Sequence, residues 1–410
     1  MAAAVQPVID AAPPDTCVGV GYGAESLYLH NGTAPLAPAS NQKILTASAA
    51  LDLLGPDETL KTTFASATPM ANGVVEGDLF MIGGGDPVLT TDAYQARQQH
   101  GRFPETDLEA VADRLVADGL RQITGAVVGD ASRYDAQRSL PDWKQRWQSD
   151  GTVAPLSALL VNDGWLIDPV TGEGSGGPAS DPAQHAAAVM ARLLTDRGVV
   201  IGSGARSGAA PADPYAIAEV VSPPMSTIVE EVLTFSDNTT AELLVKEMGV
   251  RSGATGSTVD GVAAVTDWAR DQGVAEEGWV MVDGSGLSSA NLVTCTMLAQ
   301  LLRRAGPDSV LAEGLAVPGG VGTLEDRFTS GEFPTRLRAK TGTLNKVSAL
   351  SGWFIGAADA PLDFEFVINT GDRSVGVADL GLQQKLLDAL ADQPVPPPLE
   401  AAGPLPHSNG

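Results

Sequence analysis

Apolar and polar positions alternate near both ends of the chain and recur with helical spacing between them. Thr16 to Gly21 and Ser26 to Leu29 alternate, which predicts a strand, a turn and a strand over 16–31. A helix follows: Ile44, Ala47, Leu51 and Leu54 form one stripe, Ser40 and Lys43 fall on it, and Gly55-Pro56 stops the run. Strands are expected at Lys61–Ala67, Val74–Ile82, Ile123–Val128 and Val199–Ile201, with helices at Leu108–Gly119 and Ala186–Gly198. Gly83-Gly84-Gly85-Asp86-Pro87 lacks the lysine of a phosphate-binding loop and reads as a tight turn. Pro169–Gln184, rich in Gly, Ser and Pro, reads as a long loop.

The middle of the chain turns helical over Met225–Phe235, Thr239–Met248, Val259–Gln272 and Leu298–Arg304. Strand patterns return at Arg336–Thr343, Ser348–Ile355 and Leu362–Thr370, and a last helix runs over Val377–Ala391. Pairing the first and last strands in one antiparallel sheet, with helices packed on it, would bring residue 40 near residue 340. The tail from Pro394 to Gly410 is Pro-rich and expected to be disordered.

Composition narrows the function classes. The 410 residues suffice for two or three domains with real cores. A net charge of −25 argues against a nucleic-acid partner and against a polybasic membrane contact. No apolar run is long enough for a transmembrane helix. Residues 1–39 have neither the basic start nor the apolar core of a secretory signal, so the expectation is a cytosolic chain or one read from after a removed signal. Cys17 and Cys295 form no metal-ligand spacing, and two buried thiols are expected ahead of a disulfide. The four histidines, His30, His100, His185 and His407, sit in no recognisable site, which leaves a Ser-His-Asp triad without support.

A nucleophile can be built without histidine. In Ser40-Asn41-Gln42-Lys43, the lysine lies one helical turn from the serine and points inward, where lost hydration lowers its pKa toward that of a general base. The helix dipole favours an attacking alkoxide at Ser40. Ser is also a common N-cap and Lys a common surface residue, so this pair needs companions. Ser236-Asp237-Asn238 places a hydroxyl and an amide on one side of an extended turn, suited to relaying a proton and holding a carbonyl and the lysine. The plainer alternative is an Asx or Ser turn between helices, and Ser289-Ala290-Asn291 repeats the spacing. Lys340-Thr341-Gly342 lies in a strand pattern: Lys340 offers a fixed charge to a carboxylate, and Gly342 lets substrate backbone lie against the strand edge. The plainer alternative there is an exposed edge strand with a protective lysine.

In the order S-x-x-K, S-x-N, K-T-G, the three motifs match the signature of penicillin-recognising serine enzymes. Pro38–Lys43, Gly83–Pro87, Phe235–Asn238, Asp283-Gly284-Ser285-Gly286-Leu287-Ser288, Gly322-Thr323-Leu324 and Ala339–Gly342 resemble the low-molecular-mass class C penicillin-binding proteins. These are the DacB-like D-alanyl-D-alanine carboxypeptidases and endopeptidases of the S13 peptidase family, and the likeness runs roughly from residue 16 to 391. It implies an α+β fold: a transpeptidase-like domain of antiparallel sheet covered by helices over 1–62 and 223–393, with an α/β domain inserted at 63–222. The interval of 193 residues between Lys43 and Ser236 fits that insertion. The short Gly-rich stretch after Asp163 implies that the family's third domain is reduced or absent.

The resemblance also implies roles. Ser40, Lys43, Ser236, Asn238 and Lys340 are the expected catalytic residues. Thr341, Gly342, Thr343 and Leu344 are expected to bind substrate, with the backbone N–H groups of Ser40 and Thr343 as the oxyanion hole. Asp130 and Tyr134 either reach the site from the inserted domain or cap a strand end. Ser289 stands where relatives often place a carboxylate-binding arginine, which makes amidated stem peptides plausible substrates. Implied with these are peptidoglycan peptides as substrate, β-lactams as acylating inhibitors, an extracytoplasmic location, and no metal or organic cofactor. A serine β-lactamase and an inactive wall-binding or sensor module are the alternative functions. The sequence leaves the oligomeric state open.

Overall fold

The computed structural model describes residues 1–98 and 105–391. The Pro-rich tail from 394, His100 and His407 lie outside the described residues.

Five antiparallel strands form the central sheet, in the order Leu337–Leu344, Val347–Ile355, Pro361–Asn369, Asp15–Tyr22, Glu25–His30. The chain's two ends therefore pair as expected, with Val18 opposite Phe366 and Lys340 opposite Ser351. Period-two patterning sends alternate residues to opposite faces. Phe364, Phe366 and Ile368 pack with Val5, Val8, Leu382 and Leu386 on one side. Val367 and Ala349 face the other side, against Ile44, Val229, Leu244 and Leu298. The result is a sheet between two helical layers.

Helix Ala2–Ala11, which packs against Val377–Ala391, was not expected. Only Val5 and Val8 of its ten residues are buried and it has no side-chain cap, so its pattern is too short to read. Helix Gln42–Leu53 lies in the thick helical layer, flanked by Met225–Thr234, Asn238–Arg251, Thr258–Asp271 and Cys295–Ala305. Every residue from Gln42 to Ala50 is buried. The expected single inward stripe is thus a correction: the helix is wrapped on all sides.

The two cysteines are the clearest reversal. Cys17 on strand Asp15–Tyr22 and Cys295 at the start of helix Cys295–Ala305 are bonded as a disulfide, with Cα atoms 6.1 Å apart. Free buried thiols were expected because an unpaired cysteine behaves as a small hydrophobe, and 278 residues separate the two in sequence. Packing of that helix on that strand, a tertiary fact, brings them together.

A second sheet is built wholly from residues between 61 and 221, in the order Ala205–Ser207, Val127–Asp130, Leu79–Ile82, Lys61–Ser66, Tyr215–Val221. Its own core joins Phe64 and Leu79 to Val111 and Leu115 of helix Leu108–Ala117, and to Met190 and Leu193 of helix Pro182–Asp196. Val74–Ile82 was read as one strand; a turn with Gly77 at φ 89° divides it into Val74–Val75 and Leu79–Ile82. The expected loop at Pro169–Gln184 contains strand Gly174–Pro178, paired with Trp165–Ile167. Its last residues already belong to helix Pro182–Asp196, where Asp181 caps the N-terminus and Pro182 opens the first turn. Cap and proline both look like loop residues in sequence.

Candidate active site

Ser40 sits in a single 3₁₀ turn, Ala39–Asn41, that leads into helix Gln42–Leu53. Ala39 takes a left-handed φ of 48°, a conformation that costs a non-glycine residue on the order of 1 kcal/mol or more. Gly286, at φ 83°, lies so close that a Cβ there would fall 1.9 Å from the Ala39 carbonyl oxygen. The turn is thereby held between Gly286 on one side and the Lys340 strand on the other.

Lys43 is fully buried. Its Nζ donates to Ser40 Oγ at 3.1 Å, to Asn238 Oδ1 at 2.7 Å and to the Ser285 carbonyl at 2.8 Å. Burial pushes its pKa down to about 8, and the negative charges of Asp237, Glu242, Asp283 and Glu231 hold it from falling further. A lysine poised there can accept the Ser40 proton while the other two acceptors, Asn238 Oδ1 and the Ser285 carbonyl, fix its position.

Ser236 has a left-handed φ of 62° and Asp237 caps helix Asn238–Arg251, accepting from the Thr240 N–H at 2.6 Å. This turn delivers Asn238 to Lys43. The other end of that amide, Nδ2, donates to the Thr152 carbonyl at 2.8 Å, so Asn238 ties the lysine to the loop that carries Thr152. Ser236 itself is half-buried beside it. The repeat at Ser289–Asn291 is structural: Asn291 Oδ1 accepts from the Val282 N–H and its Nδ2 donates to Asp283.

The Lys340 strand is the sheet's edge. Lys340 is as buried as Lys43, which rules out the exposed protective lysine. Its carbonyl accepts from Asn41 Nδ2 at 3.3 Å, but its Nζ has no hydrogen-bond partner among the described residues. Burial, and the charge of Lys43, hold its pKa well below the usual lysine range. Thr341 is buried, Thr343 exposed and Leu344 half-buried. At Gly342 a Cβ would lie 2.8 Å from the Pro38 carbonyl oxygen and 3.1 Å from the Ser40 nitrogen. Its missing side chain makes room for the nucleophile's own turn.

Asp130 and Tyr134 are engaged away from these groups. Asp130, at the end of strand Val127–Asp130, accepts from the Ser132 and Ala210 N–H groups, in keeping with a capped strand end. Tyr134 is buried, with its hydroxyl 3.0 Å from Glu247, which also pairs with Arg133. Ser289 is exposed, while Ser288 Oγ donates to Asp142.

Two contributors escaped sequence reasoning. The Ser285 carbonyl is a backbone atom and carries no residue signature, although it lies in the Asp283–Ser288 segment. Glu242, one turn beyond Asn238, accepts from the Ser285 N–H at 2.7 Å and so braces that carbonyl. Its spacing from Asn238 on a buried helix was the available signal. Among the described residues no three His, Cys, Asp or Glu side chains are arranged to hold a metal ion.

The profile of the D-Ala-D-Ala carboxypeptidase 3 (S13) family matches residues 21–180 and 176–392. The chain belongs to this S13 family. A D-alanyl-D-alanine carboxypeptidase of Actinomadura sp. (strain R39) is 29% identical over 92% of this chain and 80% of its own. A carboxypeptidase of Mycobacterium tuberculosis is 31% identical over 84% of this chain and 74% of its own. Among solved structures, penicillin-binding protein 4 (dacB) of Haemophilus influenzae superposes with a TM-score of 0.80 at 20% identity, covering 94% of this chain and 99% of that one. The likeness to that structure gives the fold; the geometry around Ser40 has to carry the chemistry.

Proposed function

We propose that Ser40 is the nucleophile of a serine-type D-Ala-D-Ala carboxypeptidase or D,D-endopeptidase that cleaves peptidoglycan stem peptides. The observation that carries this reading is Lys43 Nζ at 3.1 Å from Ser40 Oγ, fully buried and with its pKa brought down to about 8. Neutral Lys43 takes the Ser40 proton as Oγ attacks the penultimate D-Ala carbonyl. The N–H groups of Ser40 and Thr343 take the developing oxyanion, a placement supported by the close approach of Gly342 to the Ser40 nitrogen. As the C–N bond breaks, the proton reaches the leaving D-Ala nitrogen through Ser236. Lys340, Thr341 and Thr343 hold the terminal carboxylate, Leu344 and Asn238 line the peptide, and water then hydrolyses the ester. The Ser289 position admits stems whose side-chain carboxylate is amidated.

A β-lactam mimics the dipeptide and acylates Ser40. Solved relatives include penicillin-binding protein 4 complexed with a β-lactam and a penicillin G-acylated endopeptidase from Bdellovibrio bacteriovorus. The Cys17–Cys295 disulfide suits an oxidising compartment outside the cytoplasm, and no described helix is long and apolar enough to cross a membrane. We place the boundaries of an inserted domain, 63–222, at the paired strands Lys61–Ser66 and Tyr215–Val221.

Labelled penicillin and intact mass test the assignment. The parent protein should gain one adduct and Ser40→Ala none. No adduct on the parent, or the same adduct on the variant, sinks it; rapid loss of the adduct with turnover favours a β-lactamase. D-Ala release from a pentapeptide against cleavage of a cross-linked dimer then ranks the two peptidase activities.

A further inference from the structure

The Ser236–Asn238 turn has a second side. While Asn238 turns to Lys43, Phe235 and Asp237 line a cavity of about 370 Å³ together with Tyr94, Asp163 and Glu231. That size suits a side-chain-sized ligand. None of the described residues lining it is basic. Glu231 is only 6% exposed, and among the described residues its Oε2 has no hydrogen-bond partner. Asp163 reaches the cavity from a turn in which it and Asn162 both have left-handed φ values, 49° and 57°. That turn is fixed by the Asn162 amide oxygen, which accepts from Thr90 and Thr91.

We propose that this cavity binds an organic ammonium group, a primary amine carried on a side-chain-sized ligand. A buried carboxyl oxygen without a donor is costly, and an ammonium supplies three N–H donors in one group. Asp163, Glu231 and Asp237 all border the space, yet no three such side chains among the described residues are arranged to hold a metal ion. A cation larger than a bare metal, with donors pointing several ways, fits that spread. Tyr94 and Phe235 add aromatic rings of the kind that attract an organic cation.

The groups facing the cavity predict how binding couples to protons. Burial raises Glu231 and Asp163 well above the usual carboxyl range, with the Asp237 charge adding to both. Burial also raises Tyr94, with the charges of Asp163 and Asp237 adding to it. An ammonium bound beside these carboxyl groups favours their ionised forms, so binding should release protons. Asp237 and Glu231 also act on Lys43 by their charge, so occupancy of the cavity is felt at the nucleophile.

Calorimetric titration of the full chain with propylammonium chloride at pH 7, in two buffers of different ionisation enthalpy, tests this. Saturable millimolar binding with proton release is expected, weakened about tenfold or more in Glu231→Gln and in Asp163→Asn. Ser40→Ala should bind as the parent does, which keeps a failure here distinct from a failure of the acyl-transfer reading. No saturable binding, an equal response to potassium chloride, or parent-like binding by both correctly folded variants overturns the proposal. Stem peptides with a free or an N-acetylated side-chain amine identify the source. Displacement of propylammonium by the free-amine peptide alone assigns the site to substrate, and displacement by neither assigns it to a free amine.

Discussion

The first turn of helix Gln42–Leu53 and the middle of strand Leu337–Leu344 each bury a lysine completely, and the two lysines are treated in opposite ways. Lys43 has three oxygen acceptors within 3.1 Å, whereas Lys340 Nζ has no partner among the described residues. Both lose pKa to burial; Lys43 is supported by four acidic neighbours, while Lys340 is pushed further down by Lys43. A satisfied lysine is in its working geometry before substrate arrives. An unsatisfied one is waiting for an anion, and the terminal carboxylate of a peptide is the anion this site is proposed to receive.

Removing the satisfied lysine should have the larger effect. Lys43→Met takes away the base and leaves Asn238 Oδ1 and the Ser285 carbonyl without their donor. Acylation by labelled penicillin should slow by about 10²–10⁴-fold, the usual worth of a positioned general base. The melting temperature should fall, since each orphaned buried acceptor costs about 1–3 kcal/mol. Acylation within tenfold of the parent rate means that another group takes the Ser40 proton.

Lys340→Met should do less to the rate and the reverse to stability. Loss of one charge-assisted contact to the substrate carboxylate, about 1.5–3 kcal/mol, lowers kcat/KM about 10–100-fold for a substrate with a free terminal carboxylate. A substrate amidated at that terminus should lose little. Because no partner among the described residues is orphaned and a buried, unsatisfied amine is removed, the melting temperature should rise. A fall in stability, or equal losses on the two substrates, breaks the contrast between the lysines.

The sequence made the first half of this contrast legible and hid the second. Motif spacing picked out Ser40, Lys43, Ser236, Asn238 and Lys340, and the structure brings Ser40, Lys43 and Asn238 into direct contact. Strand alternation at Leu362–Ile368 and Thr16–Gly21 predicted the sheet because the two faces bury different partners. What could not be read was contact without local pattern. Cys17 and Cys295 meet only through helix packing, Gly342 answers to Pro38 and Ser40 across the chain, and Ser285 acts through its backbone. Asp130 and Tyr134 were ambiguous because a capping aspartate and a substrate-binding one look alike until their partners are seen.

The finest test of the comparison concerns the support that Lys43 has and Lys340 lacks. Glu242 is buried, and its pKa is raised to about 8 by burial and by the charge of Asp283. Lys43 is the base only when neutral, so acylation should rise with pH through about 8. In that same window Glu242 gains its negative charge, which favours protonated Lys43 and delays the rise. Glu242→Gln keeps an acceptor for the Ser285 N–H and removes the charge. The rising limb of the pH–rate profile should move to lower pH by about half a unit, less than the 1–3 units of a charge in direct contact. The plateau should stay within about twofold of the parent. A limb that moves upward, or stays in place while the plateau drops, means that Glu242 works by bracing Ser285 and not by its charge.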